Sequence, residues 1–269
     1  MRLSDARFAD LHCRVVPGVD GGSPSVVKAI QSLRALRSEG VGALVLAQPL
    51  EPARHPGSMA LRRRLDELQA GYERMCEAAA GRLDVPVLHS GQVIRIVDAD
   101  DVRRVAEDPR VGLGGSRFLL VEFDRDLRGE PLKLIRAVRS AGRELLVSHP
   151  ERCRFPWSPN PLDTVRRWVD AGAYLQVGLA SLAEGGGACG ADAEALAWSL
   201  LEAGLVHALS SGAHVEVASL PVQHRAVLGR LARCGGARQA AQLLGGNPRR
   251  VLRDQLPSPV APLRVPLPV

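Results

Sequence analysis

Short apolar runs alternate along the chain with segments whose apolar positions recur at helical spacing. Each run is apolar at mostly consecutive positions, which is typical of parallel strands covered on both faces. The runs lie at 7–12, 42–48, 85–90, 118–123, 144–149, 173–178 and 205–211. The pattern therefore predicts an α/β protein with a parallel sheet.

The segments between the runs carry signals for the start and end of helices. The segment 23–40 offers Ser23 or Ser25 as an N-cap and ends at a glycine. The segments 131–143 and 161–173 each begin at a proline and stop near a glycine. Repeated units of one strand and one helix, joined by short loops, are thus predicted along the chain.

Seven such units within 269 residues favour a closed or nearly closed α/β barrel. An open doubly wound sheet is the alternative, but no glycine-rich phosphate loop follows a predicted strand, since GLGGS at 112–116 precedes one. We expect a single barrel domain over residues 1–256. The last residues, 257–269, are rich in proline and are expected to form an extended or disordered tail.

Composition limits the cellular setting that we expect. No apolar run approaches the roughly 20 residues of a membrane span, and acidic residues stand near the start, where a secretory signal would be apolar. We expect a soluble, cytoplasmic protein without membrane insertion. The five cysteines have no CxxC spacing, which favours reduced thiols over a disulfide frame or a zinc knuckle.

The net charge of +6 comes almost wholly from arginine, because Lys28 and Lys133 are the only lysines among 35 basic residues. The arginines are interleaved with acids along predicted helices, which is typical of solvated helix faces. An aromatic content of 3% offers few surfaces on which bases could stack. Nucleic acid is therefore not expected as a partner.

Polar residues gather at the predicted carboxyl ends of the strands, where an α/β barrel carries its chemistry. Histidines and carboxylates that converge from separate strands are natural ligands of zinc, manganese and iron. A single histidine at a strand end is more often a hydrogen-bonded structural residue, so the metal interpretation depends on the combination. The residues are His12, Gln48, Glu122, His149, Glu151, Arg152, Ser210, Ser211 and His214.

Several segments occur in the order and spacing of one known family. They are DLHCRVVPGVDGG, GQVIRI, VSHPERCRF, GLVHALSSGAHV and GGNPRRVL, and the similarity runs from about Phe8 to Leu252. The chain resembles the bacterial protein-tyrosine phosphatases of the polymerase-and-histidinol-phosphatase (PHP) superfamily, which belong to capsule and exopolysaccharide operons. The resemblance implies a distorted (β/α)7 barrel that removes phosphate from tyrosine with a cluster of metal ions, usually manganese.

The resemblance also implies a set of metal ligands, and this chain keeps only part of it. His12, Glu122, His149 and His214 stand at ligand positions of the family. His12 is followed two places later by an arginine where the family has a second histidine. Because residues two apart on a strand point the same way, we expect Arg14 to share the face of His12.

The remaining ligand positions carry residues that cannot hold a metal ion. Valine in place of a bridging glutamate removes negative charge shared by two cations, and arginine in place of histidine puts a fixed positive charge where a cation would lie. These residues are Arg14, Gly21, Leu50, Val93 and Gly212. We therefore expect weak binding of manganese or another divalent metal, and it stays open that the chain holds none. His55 is a candidate replacement ligand, although its segment has the composition of an exposed loop.

Arg152 corresponds to an arginine that lies beside the phosphate in the family. A guanidinium binds phosphate through two hydrogen bonds at once, so Arg152 and Arg14 would together form an anion site. The alternative is an ion pair between Arg152 and Glu151 or Glu122 at the barrel mouth. A second phosphate-side arginine of the family has no clear counterpart in this sequence.

Two functions follow from the resemblance and its departures. In the first, the protein is catalytically degenerate and binds a phosphotyrosine segment, a polysaccharide-assembly tyrosine kinase or another phosphotyrosine protein without hydrolysing it. In the second, it is an active metal-dependent phosphotyrosine phosphatase, or another phosphoesterase, with an altered metal site. The lost ligands favour the first function, and the overall resemblance favours the second.

Overall fold

The computed structural model describes residues 8–19, 21–184, 189–212 and 220–263, with only the backbone of 220–224. Seven parallel strands form one sheet in which every strand pairs with its neighbours in chain order. The strands are β1 (Phe8–Cys13), β2 (Val41–Leu50), β3 (Val87–Ile94), β4 (Phe118–Glu122), β5 (Glu144–Ser148), β6 (Ala173–Gly178) and β7 (Ala208–Ser210). Each predicted run overlaps one strand, and the sheet curls into a nearly closed barrel. The order never reverses, as it would in a doubly wound sheet, so the barrel prediction is confirmed.

Helices surround the sheet. Ser25, rather than Ser23, is the N-cap of the first helix, since its side chain accepts a hydrogen bond from the Lys28 amide at 3.3 Å. The helices are α1 (Val26–Ser38), α2 (Ser58–Ala79), α3 (Ala99–Ala106), α4 (Leu132–Ser140), α5 (Pro161–Asp170), α6 (Ala191–Glu202), α7 (Leu220–Arg233), α8 (Ala237–Ala241) and α9 (Asn247–Leu252). Among the described residues, none of these helices has the length and apolar character to cross a membrane.

Apolar side chains form two layers because successive strand residues point to opposite faces. The larger layer lies between the strands and the helices and includes Leu33 of α1 and Trp168 of α5. The smaller layer fills the barrel interior, where Leu120 and Leu146 from neighbouring strands pack with Val251 of α9. The interior is therefore a packed core, and polar chemistry is confined to the ends of the barrel.

The barrel is closed between its first and last strands by a side chain. Within the described residues, β1 and β7 are the two ends of the hydrogen-bonded sheet order. The Asp10 carboxylate of β1 accepts a hydrogen bond from the Ser211 amide at 3.3 Å and another from the Ser211 hydroxyl. Asp10 is only 4% exposed, so this bridge is buried.

The described part of the proline-rich tail, 257–263, has no helix or strand and packs against the barrel. Asn247 is fully buried, and its side chain donates to the Ser258 carbonyl and accepts from the Ser258 amide, both at 2.9 Å. Val260 and Leu263 are buried at 6% and 3% exposure. The segment thus shares the core of the barrel.

Candidate site at the carboxyl ends of the strands

A polar layer lies above the apolar interior of the barrel. Leu146 belongs to the interior cluster, so Ser148 two places later on β5 faces the same way. The same alternation from Ala208 turns Ser210 of β7 inward. Ser148 and Ser210 are each 1% exposed. The carboxyl end of the barrel is therefore lined by buried hydroxyl groups.

His12 is part of this layer. Its Nδ1 atom lies 3.0 Å from the Ser148 hydroxyl and 3.4 Å from the side-chain amide nitrogen of Gln176 on β6. His12 is 2% exposed, and its ring centroid is 5.2 Å from that of His149. Side chains of β5 and β6 thus hold the His12 ring of β1 beside the ring of His149.

His149 directly follows β5 and has a left-handed backbone, with φ 55° and ψ 47°. This conformation is uncommon for a residue with a side chain and marks a position held by its surroundings. His149 Nδ1 lies 3.3 Å from Glu151 Oε1. Because an ionised carboxylate can only accept, Nδ1 donates. Nε2 is buried and has no hydrogen-bond partner among the described residues.

Glu151 is the centre of the turn after β5. Its Oε1 atom accepts from the Ser181 hydroxyl at 2.8 Å and from the Gly178 amide at 3.1 Å, besides its contact with His149. Burial by itself would raise the pKa of Glu151, but the hydrogen bond and charge of His149, the charge of Arg152 and the Gly178 amide together lower that pKa below its ordinary value. Glu151 is therefore a buried, ionised carboxylate that fixes the turn onto the end of β6.

Arg152 lies on the same turn and is directed at the barrel mouth. A Cβ atom at Gly178 would be 2.9 Å from the Arg152 Nη2 atom and 2.8 Å from His149 Cε1, so a glycine is needed there. The Arg152 side chain is 15% exposed, and its Nε atom is 3.8 Å from Glu151 Oε1. At that distance the two groups form an ion pair without a hydrogen bond, which leaves the guanidinium donors available to an anion.

Arg14 lies just beyond the end of β1, beside Gly21. The strand β1 ends at Cys13, and its pairing with β2 shifts register between Asp10 and Cys13. The Arg14 guanidinium lies against Gly21, where an added Cβ would be 3.0 Å from Nη2. Arginine thus takes up the space that a side chain at position 21 would need.

The residues at the other substituted ligand positions do not suit a metal cluster. Val93 is 4% exposed and belongs to the apolar interior. Leu50 is fully buried in the layer between strands and helices, so it faces away from the barrel mouth. Over the described ranges, no group of three or more histidine, cysteine or acidic side chains is arranged to hold a metal ion. His214 lies outside the described residues.

Glu122 ends β4 in register with Ser148 of β5, and alternation from Leu120 turns it toward the barrel mouth. Burial, followed by the negative charges of Glu151, Glu122 and Asp124, raises the pKa of the Cys153 thiol to about 12. A thiol with that pKa is protonated and unreactive at neutral pH. Glu122 therefore contributes negative charge on the same side of the mouth as Arg152.

Two further candidates from the sequence, His55 and Gln48, make contacts with helices. The carbonyl of His55 accepts from Arg104 Nη2, which ties the turn after β2 to α3. The Gln48 side-chain amide donates to the Leu68 carbonyl at 2.8 Å and joins β2 to α2. Both residues have structural contacts on the helical side of the barrel.

Sequence reasoning did not single out Asp10, Ser148, Gln176 or Ser181. The first three are polar residues within apolar strands, and each is at most 4% exposed. That interruption of an apolar run was the available signal. Ser181 gave no such signal, because its role depends on the approach of the turn after β6 to Glu151.

The fold and the strand-end residues define an α/β barrel of the class whose chemistry lies at the carboxyl ends of its strands. A family model described as capsular polysaccharide synthesis, CpsB/CapC, matches residues 8–253. The chain belongs to this family. Tyrosine-protein phosphatase YwqE of Bacillus subtilis is 29% identical over 216 residues, 76% of each chain. CapC of Staphylococcus aureus is 26% identical over 209 residues, 77% of each chain.

Solved structures confirm the fold. A crystal structure from the pair YwqE of Bacillus subtilis and CpsB of Streptococcus pneumoniae, described as metal-dependent tyrosine phosphatases, has a TM-score of 0.74 and 22% identity, and covers 96% of this chain and 100% of its own. A variant of the organophosphorus hydrolase of Deinococcus radiodurans has a TM-score of 0.55 and 16% identity, with 94% and 95% covered. The expectation of a distorted (β/α)7 barrel is confirmed.

Proposed function

We propose that this CpsB/CapC-family chain binds the phosphate group of a phosphotyrosine segment at the carboxyl end of its barrel and does not hydrolyse it at an enzymatic rate. The observation that carries the proposal is the Arg152 guanidinium, which is directed at the mouth and whose ion pair with Glu151 is long, with 3.8 Å between Nε and Oε1. A planar guanidinium matches two phosphate oxygens at once.

The loss of hydrolysis is supported by the residues around that guanidinium. Metal-dependent hydrolysis needs a bound cation that lowers the pKa of water to near neutrality. Arg14 takes up the space beside Gly21, and Val93 is packed into the apolar interior. These residues do not fit a metal cluster, so no hydrolytic step through a metal is derived for this chain.

The relatives indicate which phosphate is bound. YwqE is named a tyrosine-protein phosphatase, and the family model concerns capsular polysaccharide synthesis. We therefore propose a phosphotyrosine segment of a polysaccharide-assembly tyrosine kinase, or of another phosphotyrosine protein, as the partner. An active phosphatase with an altered metal site is the second candidate, and the observation that favours it is the retention of His12, Glu122 and His149 at the mouth.

The test combines binding with turnover. Calorimetric titration with inorganic phosphate should give binding that Arg152→Ala weakens on the order of 30-fold, the equivalent of about 2 kcal/mol for a charge-assisted pair of hydrogen bonds. Arg166→Ala, at an exposed arginine of α5, is the matched control. Equal affinity in wild type and Arg152→Ala would contradict the anion site. Wild-type turnover of an aryl phosphate with manganese at about one per second or faster would contradict the loss of hydrolysis.

A further inference from the structure

A cavity of about 1010 Å³ opens beside the turn that carries Arg152. It lies between that turn, the start of α5 and the start of α6. Ligand sites for drug-sized molecules have volumes of roughly 300–1,000 Å³, so this cavity is far larger than a phosphate ion requires. Arg152 lines the cavity and also approaches Gly178 and Gly212 at the barrel mouth, so the cavity is adjacent to the candidate anion site.

The walls of the cavity combine apolar and charged side chains. Phe155, Pro156 and Leu162 line it from the segment that leads into α5, and Leu196 lines it from α6. Four further charged residues line the cavity, and their charges cancel: Arg125 and Arg154 are positive, and Asp126 and Asp192 are negative. The apolar part of the wall suits an aromatic ring, and the balanced charges do not favour a strongly charged chain.

The wall is preformed. Phe155 packs against Trp157 and Trp168, with ring centroids 6.1 Å and 5.7 Å away. Arg154 makes two hydrogen bonds to the Asp126 carboxylate, at 2.6 Å and 2.7 Å, which join the loop after β4 to this segment. A ligand would therefore find the cavity already shaped and would not have to order it.

One buried polar atom also points to a ligand. Glu151 is a lining residue with a fully buried side chain, and its Oε2 atom has no hydrogen-bond partner among the described residues. A buried carboxylate oxygen without a donor is unfavourable. A small movement of the turn would expose this oxygen to a backbone amide of a bound peptide, and the neighbouring Arg152 would receive the phosphate.

From these observations we infer that the cavity holds the tyrosyl ring and the flanking backbone of the phosphotyrosine segment whose phosphate lies on Arg152. The inference rests on the proposed function and adds to it the place of the organic part of the ligand. It distinguishes a phosphopeptide, which reaches the cavity, from free phosphate, which occupies only the mouth.

The experiment compares two probes by calorimetry on the full chain: inorganic phosphate, and a pentapeptide with phosphotyrosine between pairs of alanines. The peptide should bind at least tenfold tighter than phosphate. Leu196→Gln and Leu162→Gln should each lower the peptide affinity about fivefold and leave the phosphate affinity unchanged. Leu134→Gln on α4 is the matched control, because all three leucines are half-buried against the same core.

The outcomes separate the two proposals. In one outcome, Arg152→Ala loses phosphate binding, but neither Leu196→Gln nor Leu162→Gln changes the peptide affinity. This outcome would overturn the proposed role of the cavity and leave the anion site standing. Phosphate affinity unchanged by Arg152→Ala would overturn the anion site and the cavity with it. An equal loss of peptide affinity in Leu134→Gln would assign the effect to the core and would also overturn the cavity. Urea unfolding of each variant verifies that the folded protein is compared.

Discussion

At the scale of single residues, two glycines stand at positions where the family resemblance implies aspartate ligands. Gly21 and Gly212 have φ values of +71° and +57°, a region that aspartate tolerates better than most residues. Both positions could therefore carry the carboxylates that the family resemblance implies. At Gly21 the obstacle is a side chain, since an added Cβ would be 3.0 Å from Arg14 Nη2.

Metal binding should return when the ligands at the mouth are restored together. The combined variant is Arg14→His, Gly21→Asp, Val93→Glu and Gly212→Asp. Leu50 is left unchanged because its side chain lies in the layer between strands and helices. We expect manganese uptake by the combined variant and little by any single one, since ligands of one cluster are energetically coupled. Elemental analysis after dialysis measures the uptake.

A matched control is the same variant with Arg14 retained, which should not bind manganese because a fixed positive charge stays beside the new aspartate. A well-folded combined variant that takes up no manganese would show that these positions do not form a site.

His207 should make stability depend on pH. Burial lowers the pKa of His207 to about 4, against an ordinary value near 6.5. Its Nδ1 atom accepts from the Leu175 amide at 3.2 Å, which requires the neutral ring. Between pH 6.5 and 4 the unfolded chain therefore binds more protons, and the free energy of unfolding should fall on the order of 2–3 kcal/mol as the pH is lowered.

The measurement is urea unfolding from pH 7 to pH 4 in wild type and His207→Asn, which keeps an acceptor for the Leu175 amide. In His207→Asn the free energy of unfolding should fall less between pH 6.5 and 4 than in wild type. His55→Asn, at a histidine in a surface turn, should behave like wild type. Parallel pH profiles for wild type and His207→Asn would rule out His207 as the cause.

At the scale of elements, the segment after α9 is part of the packed structure. Gln242 and Asn247 donate to carbonyls of Pro259 and Ser258, each at 2.9 Å, and the Leu263 amide donates to the Leu201 carbonyl at 3.1 Å. Asn247 also donates to the His207 carbonyl at 2.9 Å and so joins this segment to the start of β7.

Deletion of 257–269 should therefore destabilise the barrel. The loss includes two buried apolar side chains, Val260 and Leu263, each worth about 1.5–3 kcal/mol. We expect the free energy of unfolding to fall by roughly 3 kcal/mol or more, measured by urea unfolding. A deletion that begins after Leu263 keeps these contacts and is the control. Equal stability of the two shortened chains would mean that the segment does not contribute.

At the scale of the whole molecule, a carboxylate joins the first and last strands of the barrel; this junction of β1 and β7 is called the seam. Asp10 bridges β1 to Ser211, which follows β7. Burial raises the pKa of Asp10 to about 6, although the hydrogen bonds from Ser211 and from the His12 amide act in the opposite direction. The bridge therefore links the two ends of the sheet within a few residues of the candidate site.

Removal of the hydroxyl should weaken the seam. Ser211→Ala leaves the buried carboxylate with one donor fewer, which costs about 1–3 kcal/mol. Ser199→Ala is the control, because that exposed hydroxyl donates to a carbonyl of its own helix. Urea unfolding should separate the two variants, and equal stability would contradict a stabilising role for the bridge.

Much of the fold followed from local patterns. The seven apolar runs and the cap at Ser25 depend on spacing and residue type within a few positions, and these properties do not require knowledge of distant contacts. The shared face of His12 and Arg14 stays a prediction, because a register shift near the end of β1 interrupts the strand alternation on which it was based.

The sequence by itself determined the order of strands and helices and the family, since each depends on residue identity along the chain. Only the tertiary structure decided that Glu151 joins His149, Gly178 and Ser181, and that Leu50 faces away from the mouth. The physical reason is that these contacts join residues from different strands and turns. Their distances depend on register and packing, which local sequence does not encode.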